Sequence, residues 1–384
     1  MMSLRNLFFA KKKNKLYLAF DVGTHSIRSL SLEYGPEGAI GLKKNISLLP
    51  STETNDGTAL KTVTRLREII LRYIRKMGNV PDEVLLGVAS NLTFNTLGEA
   101  ERVRKDKNKS IKPEEINEIL NQFVEDHKDL ERNSEKFVLA HAEPVHLTID
   151  GYDLDPRQLR KIYGSTIKLH ISLNYARDDL WQEIEGLKKM LSGLSINVRP
   201  SHMAVAAFLI YKNPKTDFLL IKIGGKITEV SGVKEGVLIW TESFSVGGED
   251  ITKNIANSLK ITLPRAEDIK KQYETFIMPE NITDPAKKII NTTAENWIAE
   301  LRKLILSKQF LLPEKIYLYG GGAKLTAIRK LLEEKTWARD LTYKESVEVK
   351  LLAAEDLTMG LFVNQPLRGP EDVGLAALVL MIIA

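Results

Sequence analysis

The sequence has no cysteine among its 384 residues. This absence excludes disulfide bonds, thiolate metal sites and a thiol nucleophile, and it fits a cytoplasmic protein. The sequence also lacks an apolar run of the roughly 20 residues that a membrane-spanning helix needs. The apolar stretch at residues 375–384 is much shorter, and we predict that it forms a buried last helix that packs under the first sheet.

Neither sign of charge dominates the composition. Lys and Arg total 55 against 50 Asp and Glu, which leaves a net charge of +5. Because this excess is small and no aromatic-basic array is present, nucleic acid is not an expected partner. The six histidines never fall at metal-ligand spacing. A chain of this length exceeds the size at which one core keeps growing, so we expect two or more lobes.

Glycine is concentrated in three turns, each of which follows a short apolar run that predicts a strand. The turns are Asp-Val-Gly-Thr-His-Ser at 21–26, Ile-Gly-Gly-Lys-Ile-Thr at 223–228 and Gly-Gly-Gly-Ala at 320–323. Glycine lets the backbone approach another backbone or a phosphate where a Cβ would clash. Consecutive amides in such turns form a concave nest for anions. Three such turns, the third opening a helix, therefore indicate an anion site.

The first two turns are similar enough to suggest a duplication. A constant offset along the chain aligns Asp21 with Lys222 and Gly23 with Gly224. Each unit continues into alternating apolar and polar residues, the pattern of a β-hairpin with a glycine-bearing turn. We therefore predict two similar halves that face each other across a cleft, with one turn from each half gripping a ligand.

Two further segments resemble a known family. Residues 243–252, Ser-Phe-Ser-Val-Gly-Gly-Glu-Asp-Ile-Thr, followed by Ala-Glu-Asp-Ile-Lys at 266–270, resemble the GG-x-x-IT…AE-x-x-K segment of the cell-division family FtsA. The chain thus resembles the actin-like ATPase superfamily, and the pilus-assembly family PilM shares the same parts. The resemblance implies an α/β, actin-like two-lobed fold built from duplicated ribonuclease-H-like halves, with an FtsA/PilM-type small subdomain in the first lobe.

The same resemblance and the pattern of the chain give a domain layout. We predict a flexible basic and apolar tail at 1–14, a first-lobe core at 15–92 continued by 173–210 and 369–384, an inserted α+β subdomain at 93–172, and a second lobe at 211–368 with a helical insertion at about 249–311. Within this layout, apolar periodicity predicts a helix at 60–77 and separate strands at 137–140 and 145–149.

The resemblance also implies a site for ATP and Mg²⁺ in the interlobe cleft. Asp21 would hold the magnesium, usually through water. Arg28 is either a β-phosphate contact or an ordinary exposed strand residue. Glu267 and Lys270 either line the nucleoside pocket or form a simple surface pair. The remaining nucleotide-binding positions are Gly23, Thr24, Ser26, Lys222, Gly224, Gly225, Lys226, Gly247, Gly248, Gly320, Gly321 and Gly322.

The second hairpin departs from the family signature D-x-G-G-G-T-T-D. Lys222 replaces the aspartate that helps to place magnesium and the attacking water, and Lys226 replaces the third glycine. Hydrolysis needs an aligned nucleophile and neutralised phosphate charge, so we expect ATP binding with weak or absent hydrolysis. Either the lysines contact the phosphates directly, or they pair with Asp21 and close an empty cleft in a protein that serves as a scaffold.

Two functions stay open. An FtsA-like protein would form oligomers or filaments on the inner membrane and tether FtsZ, whereas a PilM-like scaffold would bind the tail of an inner-membrane pilus or secretion protein. FtsA proteins usually carry a membrane-targeting helix after the last core helix, and this sequence ends without one. Apolar residues at 4, 7 and 8 before lysines 11–13 predict peripheral membrane contact through residues 1–14, with a solvated or partner-docking tail as the alternative.

Overall fold

The computed structural model describes most of the chain. The described residues are 14–35, 38–49, 55–132, 134–154, 162–192, 194–275, 280–339, 341, 347–357, 362–363 and 366–383. The membrane contact predicted for residues 1–14 therefore falls, apart from Asn14, outside the described residues.

The described chain alternates strands and helices. The strands are β1 (Lys15–Val22), β2 (Ser26–Gly35), β3 (Gly38–Leu48), β4 (Glu83–Val88), β5 (Thr93–Val103), β6 (Asp129–Arg132), β7 (Glu135–Ile149), β8 (Tyr152–Leu154), β9 (Thr166–Arg177), β10 (Ser195–Pro200), β11 (Phe218–Ile223), β12 (Thr228–Lys234), β13 (Val237–Phe244), β14 (Lys315–Tyr319), β15 (Glu348–Leu351) and β16 (Phe362–Val363). The α-helices are α1 (Asn55–Met77), α2 (Pro113–Glu125), α3 (Asp178–Met190), α4 (Ser201–Lys212), α5 (Gly248–Leu259), α6 (Leu263–Thr275), α7 (Glu280–Ser307), α8 (Thr326–Glu333), α9 (Ala354–Leu357) and α10 (Val373–Ile383).

Two sheets of the same design confirm the predicted duplication. The first runs β10-β4-β1-β2-β3-β16 and the second β13-β12-β11-β14-β15, so five strands follow the same spatial order in both. Asp21 pairs with Arg28 in the first hairpin and Lys222 pairs with Glu229 in the second, which keeps the same sequence offset on both strands. The turns close alike, with Gly23 N donating to Ser26 O (3.0 Å) and Gly224 N to Ile227 O (2.9 Å).

The sheets and helices stack in layers. An apolar cluster between the two sheets contains α4 and α10, together with one face of β1 and one face of β11. Helices α1 and α3 cover the outer face of the first sheet, and α5 to α8 cover the outer face of the second. Helix α10 packs against α4 and β1, so the predicted buried C-terminal helix is confirmed. Among the described helices, none combines the length and the apolarity needed to cross a bilayer.

A third sheet is inserted between β4 and α3. Its strands run β5-β9-β7-β6, β8 pairs with β7, and helix α2 packs on it over a separate apolar cluster. The prediction of two strands at 137–140 and 145–149 is wrong, because both segments belong to β7. The ladder with β9 shifts register between Leu139 and His141 and again between Pro144 and His146. Proline has no amide for the ladder and is tolerated at such irregularities.

Helix α1 shows why apolar spacing predicted it. Val63, Leu66, Ile70 and Tyr73 recur at helical spacing, and all four are buried against the first sheet. The helix starts at Asn55 rather than at the predicted residue 60.

We expect the layer between the sheets to depend on α10. Leu375 is fully buried in it, so Leu375→Ala should lower the free energy of unfolding by about 2–5 kcal/mol through lost transfer energy and cavity formation. The matched control is Leu306→Ala on α7, where the side chain is 46% exposed and the expected change is within about 0.5 kcal/mol. Urea unfolding measures both, and equal effects would contradict the assignment of α10 to the core.

Candidate functional site

A cavity of about 500 Å³ opens where the two hairpin turns, the third glycine turn and helix α6 meet. All the predicted site residues except Lys226 and Gly247 line it. The predicted residues that do so are Asp21, Gly23, Thr24, Ser26, Arg28, Lys222, Gly224, Gly225, Gly248, Glu267, Lys270, Gly320, Gly321 and Gly322.

The third glycine turn packs directly on the end of β11. Gly320 has φ +92°, and a Cβ there would lie 2.5 Å from Ile223 O. A Cβ on Gly322 would lie 2.4 Å from Ile223 Cγ2, whereas a Cβ on Gly321 would meet no described heavy atom within 4 Å. Gly320 and Gly322 are therefore required by close packing. Gly321 faces the open cavity, where a ligand would reach the backbone.

The two hairpin turns contact each other across the cleft. The Lys226 amide donates to Thr24 Oγ1 (3.0 Å), and His25 Nδ1 lies 2.9 Å from Glu249 Oε1. A Cβ on Gly225 would lie only 2.7 Å from the Cβ of His25. Two predicted nucleotide-binding residues, Thr24 and Lys226, are thus bonded to each other.

The start of α5 bonds to the second hairpin turn as well. Gly248 N donates to Gly224 O (3.0 Å) and Glu249 N donates to Gly225 O (2.7 Å). A Cβ on Gly247 would lie 2.4 Å from Gly225 O. Gly247 is therefore explained by backbone packing at this junction.

A buried cluster of charges lies at the centre of the cleft. The Lys222 ammonium is 3.5 Å from Asp21 Oδ1 and 3.3 Å from Glu229 Oε2, and it hydrogen-bonds Ser201 Oγ. His202 Nδ1 lies 3.1 Å from Glu229 Oε1. All five residues are buried, the most exposed of them being Asp21 at 7%, so their charges interact with little screening by solvent.

The electrostatics of this cluster favour the ionised forms of its central pair. Burial opposes the charge of Lys222, but the Asp21 and Glu229 carboxylates outweigh it and raise the pKa of the ammonium above its ordinary value. Burial alone would raise the pKa of Glu229, but the charges of Lys222 and His202 and their hydrogen bonds lower it to about 2. Glu229 is therefore a carboxylate at neutral pH, and Lys222 is an ammonium ion.

The cluster does not fit the Mg²⁺ that the family resemblance implies at Asp21. Magnesium prefers oxygen ligands in octahedral geometry and retains several waters. At Asp21 the facing group is instead an ammonium at ion-pair distance, which already supplies positive charge and repels a second cation. Across the described ranges, no three histidine or acidic side chains are grouped so as to hold a metal ion. The prediction of a magnesium ligand at Asp21 therefore disagrees with the geometry.

Other paired polar groups also line the cavity. Lys270 Nζ lies 2.6 Å from Glu267 Oε2 and donates to Gly248 O (3.0 Å). Burial raises the pKa of Glu267, but Lys270 outweighs it and the net shift is downward. Arg28 donates to Asp372 Oδ1 (2.8 Å), and its side chain is only 18% exposed. Arg28 is thus neither an exposed strand residue nor a free cation.

Several cavity residues escaped sequence reasoning. Tyr319 is 1% exposed, and its hydroxyl has no hydrogen-bond partner among the described residues; it directly precedes the third glycine turn. Glu249 directly follows the glycine pair of α5, and it pairs with His25 across the cleft. Adjacency to glycine turns was the available signal for both. Asp372 does not line the cavity, but it binds Arg28, which does; the sequence gave no local signal for this contact, because the two residues are 344 positions apart.

We expect the central cluster to make stability depend on acid pH. The pKa of Glu229 falls from 4.5 to about 2 on folding. The ionised carboxylate therefore stabilises the folded state fully above pH 4.5, and this stabilisation is lost as the pH falls toward 2. Glu229→Gln should therefore cost about 3 kcal/mol at neutral pH, and its difference from wild type should shrink as the medium is acidified.

Chemical unfolding at about pH 7, 5 and 3.5 measures this difference. The control is Glu118→Gln, since the Glu118 side chain is 68% exposed in its pair with Arg102 and should change stability by less than about 0.5 kcal/mol at each pH. A difference between Glu229→Gln and wild type that stays constant with pH would contradict the depressed pKa.

Comparisons with known proteins agree with this architecture. The family model described as cell division protein FtsA matches residues 219–371. The chain is 24% identical over 367 residues to the cell division protein FtsA of Bacillus subtilis (84% of this chain, 77% of that one). It is 21% identical over 358 residues to that of Pseudomonas aeruginosa (84% and 81%).

A solved structure covers almost the whole fold. The PilM-PilN type IV pilus biogenesis complex aligns with a TM-score of 0.60 at 18% sequence identity, over 95% of this chain and 98% of that one. This structural similarity supports the fold, and the sequence matches support a relationship to FtsA. The duplicated sheets, the FtsA match in the second lobe and this structural similarity together show that the chain has an actin-like ATPase fold and is similar to the cell division protein FtsA.

Proposed function

We propose that this protein is an FtsA-like actin-fold adaptor that binds adenine nucleotide in the interlobe cleft without efficient hydrolysis, self-assembles, and connects FtsZ to the cytoplasmic face of the inner membrane. The relatives at 21% and 24% identity are FtsA proteins, which supports the division role. One observation carries the loss of hydrolysis: the Lys222 ammonium lies between Asp21 and Glu229, where the family signature has an aspartate.

The chemistry of phosphoryl transfer explains why this exchange is costly. Catalysis depends on positioning the attacking water and on stabilising charge at the transferred phosphoryl group. Both carboxylates of the cluster are already paired with Lys222, and Glu229 also accepts the Ser90 amide (3.0 Å). Glu229 is therefore fully engaged, whereas Asp21 Oδ1 has no hydrogen-bond partner among the described residues and faces an ammonium where the family signature has an aspartate.

The cavity is nevertheless large enough for a nucleotide. Ligand pockets in proteins commonly measure about 300–1,000 Å³, and this one measures about 500 Å³. The charged side chains that line it balance, the cations being Arg28, Lys222, Lys270, Lys271 and Lys324 and the anions being Asp21, Glu229, Glu249, Glu267 and Glu371. A balanced lining supplies no excess positive charge for a third phosphate. We therefore expect contacts to the nucleoside end to dominate binding.

Nucleotide titration tests this part of the proposal. ATP and ADP should bind with affinities within about threefold of each other, and EDTA should change neither by more than that. Phosphate release from ATP should stay at the rate of the uncatalysed control. Calorimetry and a phosphate-release assay measure these quantities. Robust magnesium-dependent turnover that is lost on Asp21→Ala would refute the proposal.

The adaptor role draws on sequence outside the described residues. The apolar residues Leu4, Leu7 and Phe8 precede a lysine cluster, a composition suited to an interfacial anchor on anionic lipid. Each basic residue near such a surface contributes about 1 kcal/mol. A membrane-bound copy of this chain would then hold FtsZ at the bilayer.

Liposome co-sedimentation tests the adaptor role. FtsZ should pellet with vesicles containing anionic phosphatidylglycerol only when this protein is present, and deletion of residues 2–14 should abolish the effect, because the proposed anchor is removed. Neutral phosphatidylcholine vesicles are the control for the attraction between the lysine cluster and anionic lipid. Pelleting of FtsZ that survives the deletion would contradict the anchor, and no pelleting with the full chain would contradict the adaptor role.

A second candidate function is a PilM-like scaffold for a pilus or secretion complex in the inner membrane. The observation that favours it is the alignment with the PilM-PilN complex over 95% of this chain. In that case the partner would be the cytoplasmic tail of an inner-membrane protein rather than FtsZ. Binding of such tail peptides, together with failure to recruit FtsZ, would select this function over the first.

A further inference from the structure

Lys222 contacts three different parts of the molecule at once. Asp21 belongs to β1 of the first sheet, Glu229 to β12 of the second sheet, and Ser201 begins the helix α4 that lies between them. The ammonium lies 3.5 Å from the first carboxylate and 3.3 Å from the second, and it bonds the serine hydroxyl. One buried cation thus joins both halves of the fold.

Other bonds cross the cleft around this cation. The Ser90 amide, which follows β4 of the first sheet, donates to Glu229 Oε1 of the second (3.0 Å). The Lys226 amide donates to Thr24 Oγ1, and His25 pairs with Glu249. These contacts join the same two halves as Lys222 does. The protein's own groups therefore join the two lobes beside the cavity.

We infer that Lys222 is a built-in counter-ion that replaces a divalent cation and holds the two lobes together, so that the cleft is closed without metal or nucleotide. The inference concerns the cleft of the proposed function but does not depend on nucleotide binding or on FtsZ.

Elementary electrostatics support the replacement. Two carboxylates that share a buried site cannot both ionise unless a positive charge lies between them. An ammonium is a compact point charge on a flexible stem, and here the stem comes from the strand that also carries the second hairpin turn. Removing that charge would leave two buried carboxylates, which are ligands of the kind that magnesium prefers.

The inference predicts that loss of Lys222 creates a dependence on metal. The melting temperature of wild type should be the same in millimolar MgCl₂ and in EDTA. Lys222→Ala should melt lower in EDTA by roughly 5 °C, because it leaves uncompensated buried charge. MgCl₂ should recover most of that loss, because a bound ion stabilises the native state.

Two control variants isolate the cause. Asp21→Asn/Lys222→Ala/Glu229→Gln carries no charge at the three positions, so its melting temperature should not respond to MgCl₂. Lys308→Met removes an ion pair with Glu242 that lies within the second lobe, and it should respond to MgCl₂ no more than wild type does. Differential scanning fluorimetry without nucleotide measures all four proteins. The inference would be overturned if MgCl₂ raised the melting temperature of wild type as much as that of Lys222→Ala.

Hydrogen exchange tests closure directly and covers the case in which Lys222→Ala does not fold. In wild type, the amides at 224–227 should exchange slowly whether or not ATP and MgCl₂ are present. In the triple variant the same amides should exchange at least tenfold faster, since the lobes have lost their shared cation. The inference would be overturned if the amides at 224–227 exchanged as slowly in the triple variant as in wild type. The vesicle assay tests the proposed function independently of this inference, because the protein can fail to recruit FtsZ even though Lys222 holds its lobes together.

Discussion

The structure depends on one constraint: two buried carboxylates face each other across the cleft and need a positive charge between them. Burial makes this requirement severe, because Asp21 is 7% exposed and Glu229 only 3%, and an unpaired charge in such surroundings is costly. In an ATPase of this superfamily, the resemblance implies a magnesium ion and nucleotide in this region. Here Lys222 meets the requirement from within the chain. The hairpin turns also contact each other across the cleft, through Thr24 with Lys226 and through His25 with Glu249.

The duplicated sheet design explains why a single substitution can have this effect. Side chains alternate along a strand, so Tyr17, Ala19 and Asp21 share one face of β1. The equivalent positions in the second sheet place Phe218, Leu220 and Lys222 on one face of β11, and both apolar pairs belong to the layer between the sheets. Positions 21 and 222 are therefore equivalent places on facing sheets. Changing the charge at one of them turns repulsion across the cleft into attraction.

Local patterns in the sequence predicted much of the fold, but they could not predict which residues far apart in the chain contact each other. Apolar periodicity found α1, and the glycine turns with their constant offset found the two hairpins, because these features are written in neighbouring residues. The sequence left open whether Lys222 contacts phosphate or pairs with Asp21, since the answer depends on packing between strands of different sheets. The contact of His25 with Glu249 spans 224 positions and gave no local signal. For the same reason the sequence could not weigh Mg²⁺ at Asp21 against the Lys222 ammonium, because the competing cation lies on another strand.

An internally closed cleft changes how assembly can be regulated. A ligand shifts a conformational equilibrium only by the difference between its affinities for the two states. The resemblance implies that the nucleotide of an actin-like ATPase lies between the two hairpins, where it contacts both lobes. In this protein the Lys222 ammonium and the bonds between Thr24 and Lys226 and between His25 and Glu249 already supply closure. Nucleotide therefore has little closure energy left to add, and the proposed self-assembly would depend on protein concentration and on partner binding.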